Sequence, residues 1–170
     1  MKTLVIFDSE FGNTERLAKV IARKLGADAP LWAADGAAKA ALEQRDWDLL
    51  VVGGPTQNHT VSPTMRALLE GVPQGALKDA HVAVFDTRYR MARFLTGSAA
   101  DWIAARLDRA GAALVVAPES YFVERDAPPP GEQRRHDHKR LEVGEEERAQ
   151  AWANALAAKE APTPQSVMRS

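Results

Sequence analysis

The sequence predicts an α/β fold built on a parallel sheet, and three observations support that prediction. Four short runs are apolar almost throughout, segments with helical period separate them, and the alternation repeats along most of the chain. Strands that helices cover on both faces need no polar alternation, so nearly continuous apolar runs are typical of parallel sheets. Parallel neighbours require long crossover connections, and here the crossovers have the period of a helix.

The predicted strands are the apolar runs at residues 4–7, 49–53, 82–85 and 113–117. Residues 31–34 are a weaker fifth candidate, which lies between the first two helical segments. All four runs are short and nearly continuous, as expected of strands that are buried on both faces. The sequence therefore predicts five strands that are connected by helices.

The predicted helices have recognisable ends. Gly26 lies just beyond the first helical segment and acts as a C-terminal stop. Ser62 precedes a proline at the first position of the third segment, and Ser98 forms a capping-box-like pair with Asp101 in the fourth. The last segment, residues 145–159, begins with three acidic side chains, which favour the positive end of a helix dipole.

Chain length and two interruptions define the domain organisation. At about 100 to 200 residues per domain, a chain of 170 residues favours one core, which we place at residues 1–160. Residues 124–143 contain three consecutive prolines and a basic run where a short connection would suffice, so we expect an exposed insertion there. Residues 161–170 contain two prolines and are expected to form a disordered tail.

Composition excludes several classes of function. The 22 Lys and Arg against 23 Asp and Glu give a net charge of −1, so no global field predicts nucleic-acid or membrane binding. Cysteine is absent, which removes disulfides, thiolate nucleophiles and iron–sulfur clusters, so redox chemistry would need a bound cofactor. His136 and His138 lack a third ligand, so no metal site is predicted. With no signal peptide or membrane span apparent, the expected location is the cytoplasm.

The most informative polar residues follow the first predicted strand. In an open parallel sheet, ligands bind beyond the carboxyl ends of the strands. The turn there consists of Asp8, Ser9, Glu10, Phe11, Gly12, Asn13 and Thr14. A short turn that carries hydroxyl groups into a helix offers free N–H groups and the positive end of the helix dipole. From the residues alone, a phosphate site and a simple helix cap both remain open, and the spacing matches neither a P-loop nor a dinucleotide fingerprint.

This turn resembles the phosphate loop of flavodoxins. In that family, a Tyr/Phe-x-Ser/Thr-x-x-Gly-x-Thr run is followed by an alanine four residues after the threonine. Here the run extends from Phe7 to Thr14, and the alanine is Ala18. The resemblance extends along residues 2–156, and later stretches are similar to the small bacterial flavodoxin-like domain proteins more than to the electron-carrier flavodoxins.

The resemblance implies a fold, a cofactor and a site. The implied fold is a doubly wound, five-stranded parallel sheet of order 2-1-3-4-5 within a three-layer α/β/α sandwich. The implied cofactor is FMN, and its phosphate would lie on the first turn, at Ser9 to Thr14. Its ring would lie between a second and a third turn, which consist of Pro55, Thr56, Gln57, Asn58 and His59, and of Asp86, Thr87, Arg88 and Tyr89.

Two departures from the carrier flavodoxins keep three functions open. Residues 57–59 stand where carriers usually have an aromatic side chain and a glycine, and the chain is nearly neutral where carriers are acidic. The first function is an FMN-binding redox protein that transfers electrons to a partner protein. The second is an FMN-dependent NAD(P)H:quinone reductase with a small quinone or nicotinamide substrate. The third is an interaction module without a flavin.

Overall fold

The computed structural model describes residues 1–125 and 139–160. The predicted tail and residues 126–138 of the predicted insertion lie outside these described residues. The strands of the described part are β1 (Thr3–Phe7), β2 (Leu31–Trp32), β3 (Leu49–Gln57), β4 (Thr60–Val61), β5 (His81–Tyr89), β6 (Ala113–Leu114), β7 (Glu119–Arg125) and β8 (Lys139–Leu141). Its helices are α1 (Asn13–Leu25), α2 (Gly36–Gln44), α3 (Pro63–Glu70), α4 (Arg93–Thr96), α5 (Ala99–Arg109) and α6 (Glu145–Glu160).

The sheet has the predicted order. Its strands run β2-β1-β3-β5-β7-β8, and the first five of these are mutually parallel. The two-residue β6 pairs with the start of β5, and β7 pairs with its end, so together they form the fifth predicted strand. The doubly wound parallel sheet of order 2-1-3-4-5 is therefore confirmed, with β8 added antiparallel at its edge.

Several predicted boundaries differ from the structure. β3 and β5 continue to Gln57 and Tyr89, because the polar residues after the apolar runs still pair with neighbouring strands. The predicted run 113–117 is strand only at its first two residues, and Pro118, which lacks an N–H group for the ladder, precedes β7. Residues 139–141 of the predicted exposed insertion form β8 and pair with the end of β7.

Two apolar layers enclose the sheet. Helices α2, α3 and α5 cover one face, and α1 and α6 cover the other. Gly53 in β3 leaves room for the ring of Phe85, its pairing partner on β5, because a Cβ atom there would lie 2.1 Å from that ring. Among residues 1–125 and 139–160, no helix combines the length and apolar character needed to cross a membrane.

Candidate functional site

The carboxyl ends of β1, β3 and β5 meet at one edge of the sheet, where they enclose a small cleft. Its volume is about 30 Å³, and the hairpin of β7 and β8 closes one side. The cleft is lined by Ser9, Glu10, Phe11, Asn13, Thr14, Pro55, Thr56, Thr87, Arg88, Tyr89, Val123 and Lys139. The structure thus brings together residues of all three predicted turns. Five predicted residues, namely Gly12, Gln57, Asn58, His59 and Asp86, do not line the cleft.

The first turn is organised by its own polar groups. Gly12 has a φ of 83°, a left-handed conformation that favours glycine, and its N–H donates to the Ser9 hydroxyl over 3.0 Å. Helix α1 begins at Asn13, and the first N–H groups of a helix have no acceptor within it. In the part of the chain that the structure describes, a Cβ atom at Gly12 would meet no atom within 4 Å beyond its chain neighbours, so the turn is open at this point. The turn therefore presents neutral hydrogen-bond donors to the cleft.

A buried pair of hydroxyl groups joins the first turn to β5. The Oγ1 atoms of Thr14 and Thr87 lie 2.8 Å apart, and both residues are buried. Each hydroxyl carries one proton, so whichever group donates, the other keeps its proton for a further acceptor. The pair can therefore offer one O–H donor to a ligand at the end of α1.

Further contacts fix the first turn against its neighbours. The Trp32 indole N–H donates to the Asp8 carboxylate over 2.9 Å, which ties β2 to the end of β1. The Gln57 side-chain amide donates to the Glu10 carboxylate over 2.7 Å, which ties the first turn to the end of β3. Gln57 therefore contributes to the site through Glu10 although it does not line the cleft.

The predicted second turn is a tight hairpin between β3 and β4. Gln57 pairs with Thr60, and the two intervening residues, Asn58 and His59, have φ values of 45° and 67°. Two-residue loops with positive φ at both positions match the twist of the flanking strands. The hairpin packs against Gly97, where a Cβ atom would lie 1.9 Å from the His59 carbonyl oxygen. Asn58 and His59 therefore belong to a packed turn beside the cleft.

Asp86 is buried on the α5 side of the sheet. Its Oδ2 atom accepts hydrogen bonds from the hydroxyls of Thr56 at 3.1 Å and Ser98 at 2.7 Å, and from the Ala100 N–H at 3.1 Å. The other oxygen, Oδ1, is buried and has no hydrogen-bond partner among the described residues. Residues 86–89, predicted as a ligand-facing turn, lie in β5, and strand alternation directs the Asp86 side chain into the scaffold and away from the cleft.

Arg88 lies on the same side and holds α4 in place. Its Nε donates to the Ser120 hydroxyl over 3.1 Å, and Nη1 donates to the Met91 carbonyl over 2.7 Å and the Thr96 hydroxyl over 3.2 Å. Burial lowers the pKa of the guanidinium from its ordinary value. Arg88 lines the cleft, yet its charged group is committed to hydrogen bonds on the far side of β5.

Lys139 is a cleft residue that sequence reasoning missed. Its carbonyl accepts a hydrogen bond from the Asn13 side chain over 2.9 Å. Its Nζ lies 4.8 Å from the Phe11 ring centroid and 5.2 Å from the Tyr89 ring centroid. The only sequence signal is a weak alternation, in which Lys139 and Leu141 share one face of β8 and Arg140 lies on the other.

A larger groove lies away from these turns. It has a volume of about 380 Å³, and it lies between α2 and α3 beside the segments that lead into β3 and β5. Its walls are mostly apolar and include Leu42, Leu68 and Leu77. Ligand sites in open parallel sheets lie at the carboxyl ends of the strands, and the cleft alone has convergent polar groups there. Within the described residues, no group of three His, Cys, Asp or Glu residues could hold a metal ion.

Solved structures share this architecture, although no family model matches the sequence. Oxidised Flavodoxin 1 from Bacillus cereus has a TM-score of 0.72 and 19% identity, over 95% of this chain and 100% of that chain. The flavodoxin, WrbA-like protein from Agrobacterium tumefaciens has a TM-score of 0.66 and 18% identity, over 92% and 95% respectively. Rubredoxin oxygen:oxidoreductase from Desulfovibrio gigas has a TM-score of 0.65 and 20% identity, over 95% of this chain and 37% of that chain. From its topology and these likenesses, the chain has a flavodoxin-like fold.

Proposed function

We propose that the chain binds FMN at the cleft and acts as a flavin-dependent redox protein. The observation that carries the proposal is the convergence of the first turn, with its neutral donors, on the ends of β3 and β5. The run from Phe7 to Thr14 resembles the flavodoxin phosphate loop, and two of the similar solved structures are named as flavodoxins. This combination favours a phosphate-bearing flavin over other ligands of the same size.

The donor set fits the phosphate of FMN. Ser9 and Thr14 supply hydroxyl groups, and Asn13 supplies a backbone N–H group at the positive end of α1, where the first N–H groups have no acceptor within the helix. The open space at Gly12 allows an anion to approach the backbone. Glu10 is the one acidic side chain that lines the cleft, and the amide of Gln57 stabilises its carboxylate. These residues would therefore hold the phosphate mainly through hydrogen bonds.

The ring of FMN would lie against the outer part of the same edge. Pro55, Thr56, Thr87 and Tyr89 line the cleft from β3 and β5, so these members of the predicted ring turns remain available to a ligand. When bound, FMN supplies electron transfer in one- or two-electron steps. This chain contains no cysteine, so the flavin would be its redox group.

Flavin titration of the purified protein tests the proposal. Binding should quench the flavin's fluorescence, and FMN should bind with higher affinity than riboflavin, because riboflavin lacks the phosphate. Ser9→Ala and Thr14→Val should each lower the affinity for FMN about ten- to hundredfold, since a hydrogen bond to a charged group contributes about 1.5 to 3 kcal/mol. Equal affinity for the two flavins, or no binding of either, would contradict the proposal and favour a flavin-free interaction module.

Ser62→Ala is the matched control. The Ser62 hydroxyl accepts a hydrogen bond from the Met65 N–H over 3.2 Å at the start of α3, and it does not line the cleft. The variant loses a helix-capping hydroxyl as Ser9→Ala loses a turn hydroxyl, and it should bind FMN as the wild type does.

A second assay, NAD(P)H oxidation in the presence of a quinone, then separates a reductase, which turns over, from an electron carrier, which does not.

A further inference from the structure

The side chain of Lys139 faces the first turn, and within residues 1–125 and 139–160 it has no anionic partner. The β7–β8 hairpin holds Lys139 beside the turn, because the Asn13 side chain donates to the Lys139 carbonyl over 2.9 Å. Glu142, the residue that follows β8, holds this strand beside β7 and β5. Its N–H donates to the Phe122 carbonyl, and its carboxylate accepts from Arg90 Nε over 2.8 Å. The position of Lys139 is therefore set by contacts that do not involve its ammonium group.

The ammonium group lies near two aromatic rings. Its Nζ lies 4.8 Å from the Phe11 ring centroid and 5.2 Å from that of Tyr89, and both rings line the cleft. Among the described residues, no carboxylate forms an ion pair with Lys139. By contrast, the neighbouring Arg140 donates to the Glu124 carboxylate over 3.0 Å. A cation that lies against two rings at a cleft retains its capacity to pair with an anion.

We propose that the Lys139 ammonium binds the phosphate monoester of the ligand and thereby selects FMN over riboflavin. This inference rests on the proposed function and adds a charged group to its neutral donors. A phosphate dianion on the first turn lies beside the Glu10 carboxylate, and a cation at the same edge offsets that repulsion. The positive charge that selects FMN thus belongs to Lys139 on β8, which follows the last parallel strand of the sheet. The neutral hydrogen-bond donors belong to the first turn.

Flavin affinities of three variants test the assignment. Lys139→Met keeps an apolar stem and removes the charge, so it should weaken FMN about ten- to hundredfold and leave riboflavin unchanged. Lys139→Arg keeps a cation and should restore most of the discrimination between the two flavins. Arg140→Gln is the control on the same strand and should behave as the wild type. Equal weakening of FMN and riboflavin in Lys139→Met would show a packing role and overturn the inference.

A thermal-stability measurement with inorganic phosphate tests the role of Lys139 without the flavin. Phosphate should raise the Tm of the wild type and of Arg140→Gln, because a ligand that binds only the folded state stabilises it. The rise should largely disappear in Lys139→Met and return in Lys139→Arg. If phosphate binds through Lys139 but FMN does not bind, the proposed function fails while the phosphate site stands. If FMN binds and the preference for FMN over riboflavin is the same in all the variants at residue 139, only this inference fails.

Discussion

The outer half of β5 has two faces that differ in what they do. Asp86 and Arg88 point toward α4 and α5, where both are buried and hydrogen-bonded. Thr87 and Tyr89 point toward α1 and β8, where Thr87 contacts Thr14 and the ring of Tyr89 contacts Lys139. Four consecutive residues of one predicted ligand turn are thus divided between a scaffold and the surface that faces the cleft.

The difference follows from the cost of burying charge. A buried carboxylate or guanidinium must keep its hydrogen-bond partners, and those partners come from the protein on the α5 side. Asp86 and Arg88 are therefore committed to the fold. Thr87 and Tyr89 carry neutral groups with spare hydrogen-bonding capacity or exposed ring surface, so they remain available to a ligand. On the α5 face, substitutions should change stability first, and on the cleft face they should change binding first.

Asp86→Ala should have the largest effect on stability. The substitution removes the shared acceptor of the Thr56 and Ser98 hydroxyls and the Ala100 N–H, which leaves buried donors unsatisfied. We expect a loss of about 3 kcal/mol in the free energy of unfolding. At about 2 to 4 °C per kcal/mol for a chain of this size, the Tm should fall by about 6 to 12 °C. A loss below about 1 kcal/mol in urea unfolding would contradict a scaffold role.

Arg88→Met should have the next largest effect. It removes the hydrogen bonds to Ser120, Met91 and Thr96 while it keeps an apolar stem, so we expect a loss of about 2 kcal/mol. Arg93→Met is a useful comparison, because Arg93 pairs with Asp101 at the surface and shares with Arg88 the hydrogen bond to the Ser120 hydroxyl, but not the bonds to Met91 and Thr96. Exposed pairs contribute about 1 kcal/mol or less. Similar urea midpoints for the two variants would argue against a special role for Arg88.

Thr87→Val should change FMN binding more than it changes stability. Loss of the Thr87 hydroxyl should cost about 1 kcal/mol of stability and weaken FMN binding about tenfold, since the Thr14 hydroxyl keeps its proton but loses the buried partner that orients it. The double variant Thr14→Val/Thr87→Val should then be less than additive in both measurements. Additive losses in FMN affinity would show that the two hydroxyls act separately.

Tyr121→Phe should have the smallest effect. Tyr121 pairs with Thr87 across β5 and β7, and its hydroxyl is buried without a hydrogen-bond partner among the described residues. Removal of that hydroxyl should leave stability near neutral pH unchanged or raise it by about 1 kcal/mol. Urea unfolding of the wild type and the variant at neutral pH checks this, and a loss above about 1 kcal/mol would contradict it.

The same residue also predicts an alkaline effect. Burial raises the pKa of the Tyr121 phenol well above its ordinary value. Above about pH 10 the unfolded chain releases this proton and the folded chain keeps it, so stability should fall as pH rises. Tyr121→Phe should remove that part of the decline. Tyrosinate absorbance of the two proteins should match while they are folded, and an extra change in the wild type before unfolding would contradict the burial.

The fold could be predicted from the sequence because its signals are local. The apolar runs at 49–53 and 82–85 form the centres of β3 and β5, since their burial is encoded in the run itself. The helix caps are also confirmed, as Ser62 accepts from the Met65 N–H and Ser98 accepts from the Asp101 N–H. Each of these features depends on residues no more than a few positions apart.

The site could be predicted only in part, because its remaining features are non-local. Asp86 belongs to a strand because Ser120 pairs with it, and that partner is 34 residues away. Lys139 reaches the first turn through pairing with Arg125 and a hydrogen bond from Asn13, which lies 126 residues earlier in the chain. A charged strand of three residues gives only a weak periodic signal, so the sequence predicts an exposed insertion there.

Backbone amide chemical shifts during an FMN titration test the central claim most directly. The account predicts that the largest changes occur in residues 8–14 and at Thr87, Tyr89 and Lys139, and that riboflavin produces smaller changes in residues 8–14. The groove between α2 and α3, at Leu42, Leu68 and Leu77, should show no comparable change. Largest changes in that groove, or identical changes in residues 8–14 with both flavins, would contradict the assignment of the cleft as a phosphate-binding flavin site.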